Sequence, residues 1–139
     1  MSDEMNDWNA KIMAEFRANG GKVAEFGDAP LLILHSKGRK SGQDRTSPLM
    51  YQALEGGSRA IFASKAGAPD NPDWYHNVLA DPAVTAEIGT GTQPFTAREA
   101  LGDERHTIWE QQKVQYPQFA GYEEATDREI PVIVLDPVS

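Results

Sequence analysis

Three strand-length apolar runs follow one another with no helix between them, and this spacing argues against a parallel β-α-β sheet. Residues 31–36, 46–53 and 59–64 are joined only by a nine-residue polar segment and a Gly56-Gly57 turn. Parallel strands need crossovers of a dozen residues or more, so these three are expected to pair antiparallel. Residues 84–88 and 95–101 form a further hairpin across Gly89-Thr90-Gly91-Thr92, and residues 131–135 give a sixth strand. Pro48 lies inside the second run and cannot donate a ladder hydrogen bond, so an edge or a bulge is expected there. Helical spacing of Met5, Trp8, Ile12, Met13 and Phe16 predicts a helix over 3–19, ended by Gly20-Gly21. A second helix is expected with Asn71 as cap, Pro72 at its first position and Trp74, Tyr75, Val78 and Leu79 on its apolar face, stopped by Asp81-Pro82. A third runs from about 103 to 115 with Ile108, Trp109 and Val114 inward. The expected fold is α+β, mainly β: a small barrel of about six antiparallel strands with flanking helices.

Composition narrows the chemistry. At 139 residues with 40% hydrophobic and 24% charged residues, the chain suits a single domain over 1–139, its first 24 residues forming the helix and lead-in. The absence of cysteine removes disulfides, thiolate nucleophiles and iron–sulfur ligation together. Only His35, His76 and His106 could ligate a metal, and their spacing supports no site. His35 reads as a satisfied half-buried strand residue, whereas His76 could point into a site. The hydrolase, zinc-protease, P-loop and dinucleotide-fold signatures are all missing. The acidic start lacks a secretory apolar stretch, and no apolar run nears the roughly 20 residues of a membrane span. A cytoplasmic location is expected. The first helix could lie on a membrane surface, but its mixed-charge polar face favours packing on the domain. A pI near 4.8 argues against nucleic acid as a partner.

Charge is unevenly placed. The net charge is −8, yet residues 37–65 carry six basic against two acidic groups. Four of the cations, Lys37, Arg39, Lys40 and Arg45, fall within nine residues that also include Gly38, Ser41 and Gly42. A positive field inside a repelling background suits an anionic ligand, and glycines let backbone N–H groups turn toward it. The same segment also suits a solvated hairpin loop. Residues 63–69, Ala-Ser-Lys-Ala-Gly-Ala-Pro, are nearly free of bulk, so a flat ligand could lie against them; they equally suit a flexible connection. Tyr116, Phe119 and Tyr122 share one side of a helical turn, either as core aromatics or as the wall of a pocket whose hydroxyls polarise a carbonyl or nitro group.

In this order, Gly38-Arg-Lys-Ser-Gly42, Arg45-Thr-Ser-Pro-Leu49, Ala63–Pro69, Pro72-Asp-Trp-Tyr-His-Asn77, Tyr116-Pro-x-Phe-x-x-Tyr122 and Ile130-Pro-Val132 resemble the deazaflavin-dependent nitroreductase and quinone reductase family of actinobacteria. The resemblance spans nearly the whole chain. It implies a split β-barrel of the FMN-binding type that uses coenzyme F420, a deazaflavin with an anionic phosphate and oligoglutamate tail. It further implies that Lys37, Arg39, Lys40, Ser41, Gly42 and Arg45 hold that tail. Pro48, Leu49 and Met50 would line the ring, with Ser64, Lys65, Ala66, Gly67 and Ala68 along its edge. Trp74 and Asn77 would close the site, Trp74 and Phe119 would contact substrate, and Ser64, Tyr116 and Tyr122 would be catalytic. Phe119 stands where the family pattern carries a third tyrosine, and Ala66 where glycine is usual. The implied reaction is hydride transfer to quinones, nitro compounds or activated alkenes and ketones, by a monomer or homodimer. A non-catalytic deazaflavin carrier or sensor and an FMN-binding module are the alternatives.

Overall fold

Period-two alternation sends each strand's side chains to two different places, and this organises the molecule. In a computed structural model the described residues are 3–27 and 29–138; the side chains of 3–7, 25 and 66 are outside the description, which takes in the readings of Met5 and Ala66. The elements are α1 (Asp3–Ala18), β1 (Leu31–Lys37), β2 (Asp44–Ala53), β3 (Arg59–Phe62), α2 (Asp73–Ala80), β4 (Ala83–Ile88), β5 (Gly91–Ala100), α3 (Gly102–Gln115), α4 (Gln118–Ala125) and β6 (Val132–Pro137). The strands close into an antiparallel barrel in the order β1-β2-β3-β6-β5-β4. Among the described residues no helix is long and apolar enough to cross a membrane.

Leu32 and Leu34 of β1, Ile61 of β3 and Ile133 and Leu135 of β6 fill the barrel, together with Trp74 and Val78 from α2. Leu31 and Ile33 face the other way and bury Ile12 and Phe16 of α1. Much of the apolar face of α1 is therefore used against β1 and is not offered to a bilayer. Ala60, Phe62, Val132 and Val134 point outward beneath α3 and α4, against Ile108, Trp109 and Phe119. Sheets covered on both faces in this way read as continuous apolar runs, as residues 31–34 and 132–135 do.

Three local expectations are corrected. Asn71 does not cap α2: the N-cap is Pro72, with no side-chain cap bond, so Pro72 lies just outside the helix. The Asn71 Oδ1 instead accepts from Arg128 Nη1 at 2.6 Å. Val114 is 81% exposed, and Gln112 takes the inward place at 0%. At about 100° per residue, position 112 returns to the face of Ile108, whereas 114 does not. Gln52 Nε2 of β2 donates to Gln112 Oε1 (3.2 Å) and to the Ile108 carbonyl (3.1 Å), which makes that buried amide a tie between sheet and helix. Finally, α4 is a helix of its own, which the reading of 116–122 treated only as one turn.

Two polar clusters brace the outside. Arg98 of β5 bridges Glu104 of α3 and Asp136 of β6, at 2.7 and 2.6 Å. Arg17 of α1 holds both oxygens of Glu87 on β4, at 2.9 and 2.7 Å, while His35 Nε2 lies 2.6 Å from the same carboxylate. The Arg17 hydrogen bond, opposed by burial and assisted by His35, pulls the Glu87 carboxyl down to about 2. Gly67, at φ +82°, is where α4 meets the segment after β3. A Cβ there would sit 2.8 Å from Ala125 Cβ and 3.0 Å from the Tyr122 carbonyl oxygen.

A folded-state pKa below the unfolded one means that Glu87 contributes stability fully above about pH 4.5 and loses it as pH falls toward 2. Because Arg17 is half exposed, we expect Glu87→Gln to cost about 1–2 kcal/mol at pH 7. The loss should shrink below pH 4.5, and urea unfolding across that range measures it. Gly67→Ala combines a left-handed backbone with overlap against α4 and should cost about 2–4 kcal/mol. Gly42→Ala, left-handed but facing open space, should cost only about 1 kcal/mol. Equal melting temperatures for the two variants would show that α4 does not rest on Gly67.

Candidate functional site

Antiparallel order brings three distant segments to one end of the barrel. β1 leaves and β2 enters through the turn 38–43; β3 runs back against β2, so residues 63–69 emerge at that same end. β6 runs against β3 with Phe62 opposite Val132, so the chain feeding β6, including α4 and residues 126–131, begins there too. β2 pairs with β1 from Asp44 through Met50 but with β3 only at Tyr51, Gln52 and Ala53. The two strands part beyond Tyr51. The N–H of Tyr51 bonds toward β1, to the Pro30 carbonyl, so by alternation the ring nitrogen of Pro48 faces the opening. Proline leaves no stranded donor on that edge, which is the edge its position predicted.

The polar turn is closed by its own backbone: Gly38 N–H donates to the Gln43 carbonyl and Gly42 N–H to the Gly38 carbonyl, each at 2.8 Å. The Ser41 hydroxyl accepts from Gln43 N–H at 3.2 Å and from Arg45 Nη2 at 3.5 Å. Arg39, though exposed, is engaged by the fold. Its N–H and its Nη1 both donate to Asn77 Oδ1 at 3.1 Å, and its guanidinium lies beside Asp73. Asn77 is buried, so this pair latches the turn onto α2. Lys37, Lys40 and Arg45 form no ion pair among the described residues.

The segment after β3 is held from behind by a residue that sequence reading passed over. Arg128 Nε donates to the Ala68 carbonyl (3.0 Å), Nη1 to the Ala63 carbonyl (3.2 Å) and to Asn71 Oδ1, and Nη2 to the Ser64 carbonyl (2.9 Å). Burial lowers its pKa and Asp70 opposes this, but a guanidinium stays charged. Ser64 is in the right-handed helical region and Lys65 has φ +47°. Lys65 Nζ lies 3.6 Å from Asp70. No spacing rule points to Arg128; that it is the one lysine or arginine after Lys113 is the only trace it leaves in the sequence.

The implied site residues separate on this geometry. Leu49 packs inside the barrel, while Pro48 pairs with Ile33 on the outer side and Met50 packs toward α1 and α3–α4. The side chains of Pro48, Leu49 and Met50 therefore cannot line one surface together. Trp74 and Phe119 are buried, at 6% and 4% exposure: Trp74 fills the barrel, and Phe119 stacks edge-on against Phe62, Trp109 and Tyr122. Gly67 is approached by α4, so its missing side chain serves the helix. His76 is exposed and stacks on Tyr75. Tyr116 and Tyr122 are half-buried over the α3–α4 cluster. Among the described residues their hydroxyls, like that of Ser64, have no hydrogen-bond partner, and no group of residues could hold a metal ion. A cleft of about 500 Å³ opens beside Arg128, between Pro69 and residues 125–127. The site thus offers unpaired cations at a turn, a split sheet edge and unengaged hydroxyls. That donor set suits a ligand with a polyanionic tail and a flat, carbonyl-bearing partner.

Residues 8–137 match the sequence profile of the F420H(2)-dependent quinone reductases. An F420H(2)-dependent quinone reductase of Mycobacterium tuberculosis is 34% identical over 127 residues, 88% of this chain and 85% of its own. A solved F420-H2 dependent reductase superposes with a TM-score of 0.69 at 42% identity, covering 77% of this chain and 94% of that one. Another solved chain, described as a domain-swapped dimer, gives a TM-score of 0.71 at 37% identity over 94% and 98%. With six antiparallel strands split between β2 and β3, this chain is an enzyme of the F420H(2)-dependent quinone reductase family, and its cofactor is coenzyme F420.

Proposed function

We propose that this enzyme reduces quinones, and also nitro compounds and activated alkenes or ketones, at the end of the barrel where β2 and β3 part. The observation that carries the reading is the division among the cations: Arg39 is committed to Asn77, while Lys37, Lys40 and Arg45 have no carboxylate partner among the described residues. These three would hold the phosphate and glutamate tail through charge-assisted bonds, with Ser41 and Gly42 adding a hydroxyl and a backbone donor. Lys65 would lie near the phosphate, and the backbone of 64–68 would border the ring. When bound, the reduced deazaflavin supplies a hydride and is a poor one-electron donor.

The protein's own part is orientation and proton supply. Phe119, fixed against Phe62 and Trp109, holds the ring of Tyr122 in place through an edge-on contact at 5.1 Å. The hydroxyls of Tyr116, Tyr122 and Ser64 would bind the acceptor's carbonyl or nitro oxygen and deliver the proton that completes hydride addition. Donors not engaged by the protein need no internal bond broken before they act. A cytoplasmic location is part of the same proposal.

Titration with F420 and with FMN, followed by turnover with menadione, tests this reading. F420 should bind more tightly, and cofactor oxidation should follow menadione addition; binding without any turnover across a quinone panel would mark a carrier instead. Lys40→Ala and Arg45→Ala should each weaken F420 binding by about tenfold, more at low salt than at high. Whichever of Tyr116→Phe, Tyr122→Phe and Ser64→Ala removes the proton donor should lower kcat by about a hundredfold with cofactor affinity unchanged. If none of the three does so, the donor is not among them.

A further inference from the structure

We infer that Arg128 is a positioning residue of the cofactor site, holding the backbone of residues 63–68 so that the Ser64 and Lys65 amides are presented to the ligand. The inference rests on the proposed placement of that segment beside the cofactor. It begins with how Arg128 uses its donors. All three guanidinium nitrogens bond to one short stretch of chain: the carbonyls of Ala63, Ser64 and Ala68, and Asn71 Oδ1. Arg128 forms no ion pair among the described residues, although Asp127 and Glu129 flank it in sequence. Its role there is to fix a backbone.

Peptide geometry then sets the other side of that backbone. In a trans peptide the carbonyl of one residue and the N–H of the next point in opposite directions. With the Ala63 carbonyl turned to Arg128, the Ser64 N–H is turned away; with the Ser64 carbonyl turned to Arg128, so is the Lys65 N–H. Neither amide has an acceptor among the described residues. Lys65 adopts its left-handed backbone at this point, and a side-chain-bearing residue held there requires its surroundings to impose the conformation. Arg128 on one side and α4 against Gly67 on the other supply that constraint. Because Asn71 precedes α2, and α2 carries the Arg39–Asn77 latch, the same guanidinium links both halves of the site through one helix.

The fork geometry matters more than the charge. Nε, Nη1 and Nη2 reach acceptors in three directions within one plane, which an ammonium cannot reproduce. This separates positioning from general attraction of an anionic cofactor, which a lysine would preserve.

The test is a fluorescence titration with oxidised F420 on the wild type, Arg128→Lys, Arg128→Gln and Asn71→Ala, with amide hydrogen exchange over 63–71 and Arg98→Gln as a stability control. We expect Arg128→Lys and Arg128→Gln to raise the Kd at least about tenfold, and Asn71→Ala about threefold. Exchange over 63–71 should quicken in all three. Arg98→Gln, which loses the bridges to Glu104 and Asp136, should lower the melting temperature and leave the Kd unchanged. An Arg128→Lys variant that binds F420 within twofold of the wild type overturns the inference. If neither Arg128 variant folds, Asn71→Ala decides, and unchanged affinity and exchange there overturn it as well. A wild type that binds F420 without protecting 63–68 from exchange refutes the placement the inference rests on, a separate and recognisable failure.

Discussion

β2 and β3 share three residue pairs, Tyr51–Ile61, Gln52–Ala60 and Ala53–Arg59, and then separate, and the proposed cofactor end of the molecule depends on that separation. Continued in register, β3 would cover the β2 edge as far as the polar turn. Pro48 has no donor to offer across the gap, and the chain leaving β3 departs from the extended region at Ser64 and then at Lys65. Meanwhile β3 keeps its ladder with β6 over all four of its residues, so the barrel stays closed where its core requires it. The opening is built into one pair of strands and does not weaken the rest.

An open edge at one end would be of little use without a field to match. The chain concentrates cations there and acidic groups elsewhere, but it does not use all the cations alike. Arg39 and Arg128 bond to amides and carbonyls, the chemistry of holding a backbone still. Lys37, Lys40 and Arg45 are left to solvent. In the proposed site, cations that hold the backbone and cations left exposed are different parts, and arginine suits the first because its planar fork fixes direction as well as charge. A sequence count of basic residues cannot make that distinction.

The strands were legible because each is a short apolar run bounded by turn residues, and their antiparallel order followed from connections too short for a crossover. The polar turn and the small-residue segment were legible as features, and topology explains why they meet. What stayed hidden depends on long-range partners. Asn71 has the residue type and position of a helix cap, yet it bonds to Arg128, 57 positions away. Leu49 sits between Pro48 and Met50 in sequence, but alternation sends it into the barrel. Trp74 and Phe119 look like pocket walls because aromatic residues serve equally well as core, and only packing separates the two roles.

Phe119 shows how a core residue can still govern the site. It is buried between Phe62 and Trp109 and touches Tyr122 edge-on, so the aromatic stack runs from β3 through α3 and α4 to a half-buried hydroxyl. A tyrosine at 119 would have to place its hydroxyl within or beside that stack, where a polar group without a partner is costly. Phenylalanine removes that demand and, under the proposed function, leaves Tyr122 and Tyr116 as the aromatic donors. It anchors α4 through apolar contact, and α4 in turn rests on Gly67, next to the Ser64–Lys65 backbone on which the cofactor placement turns.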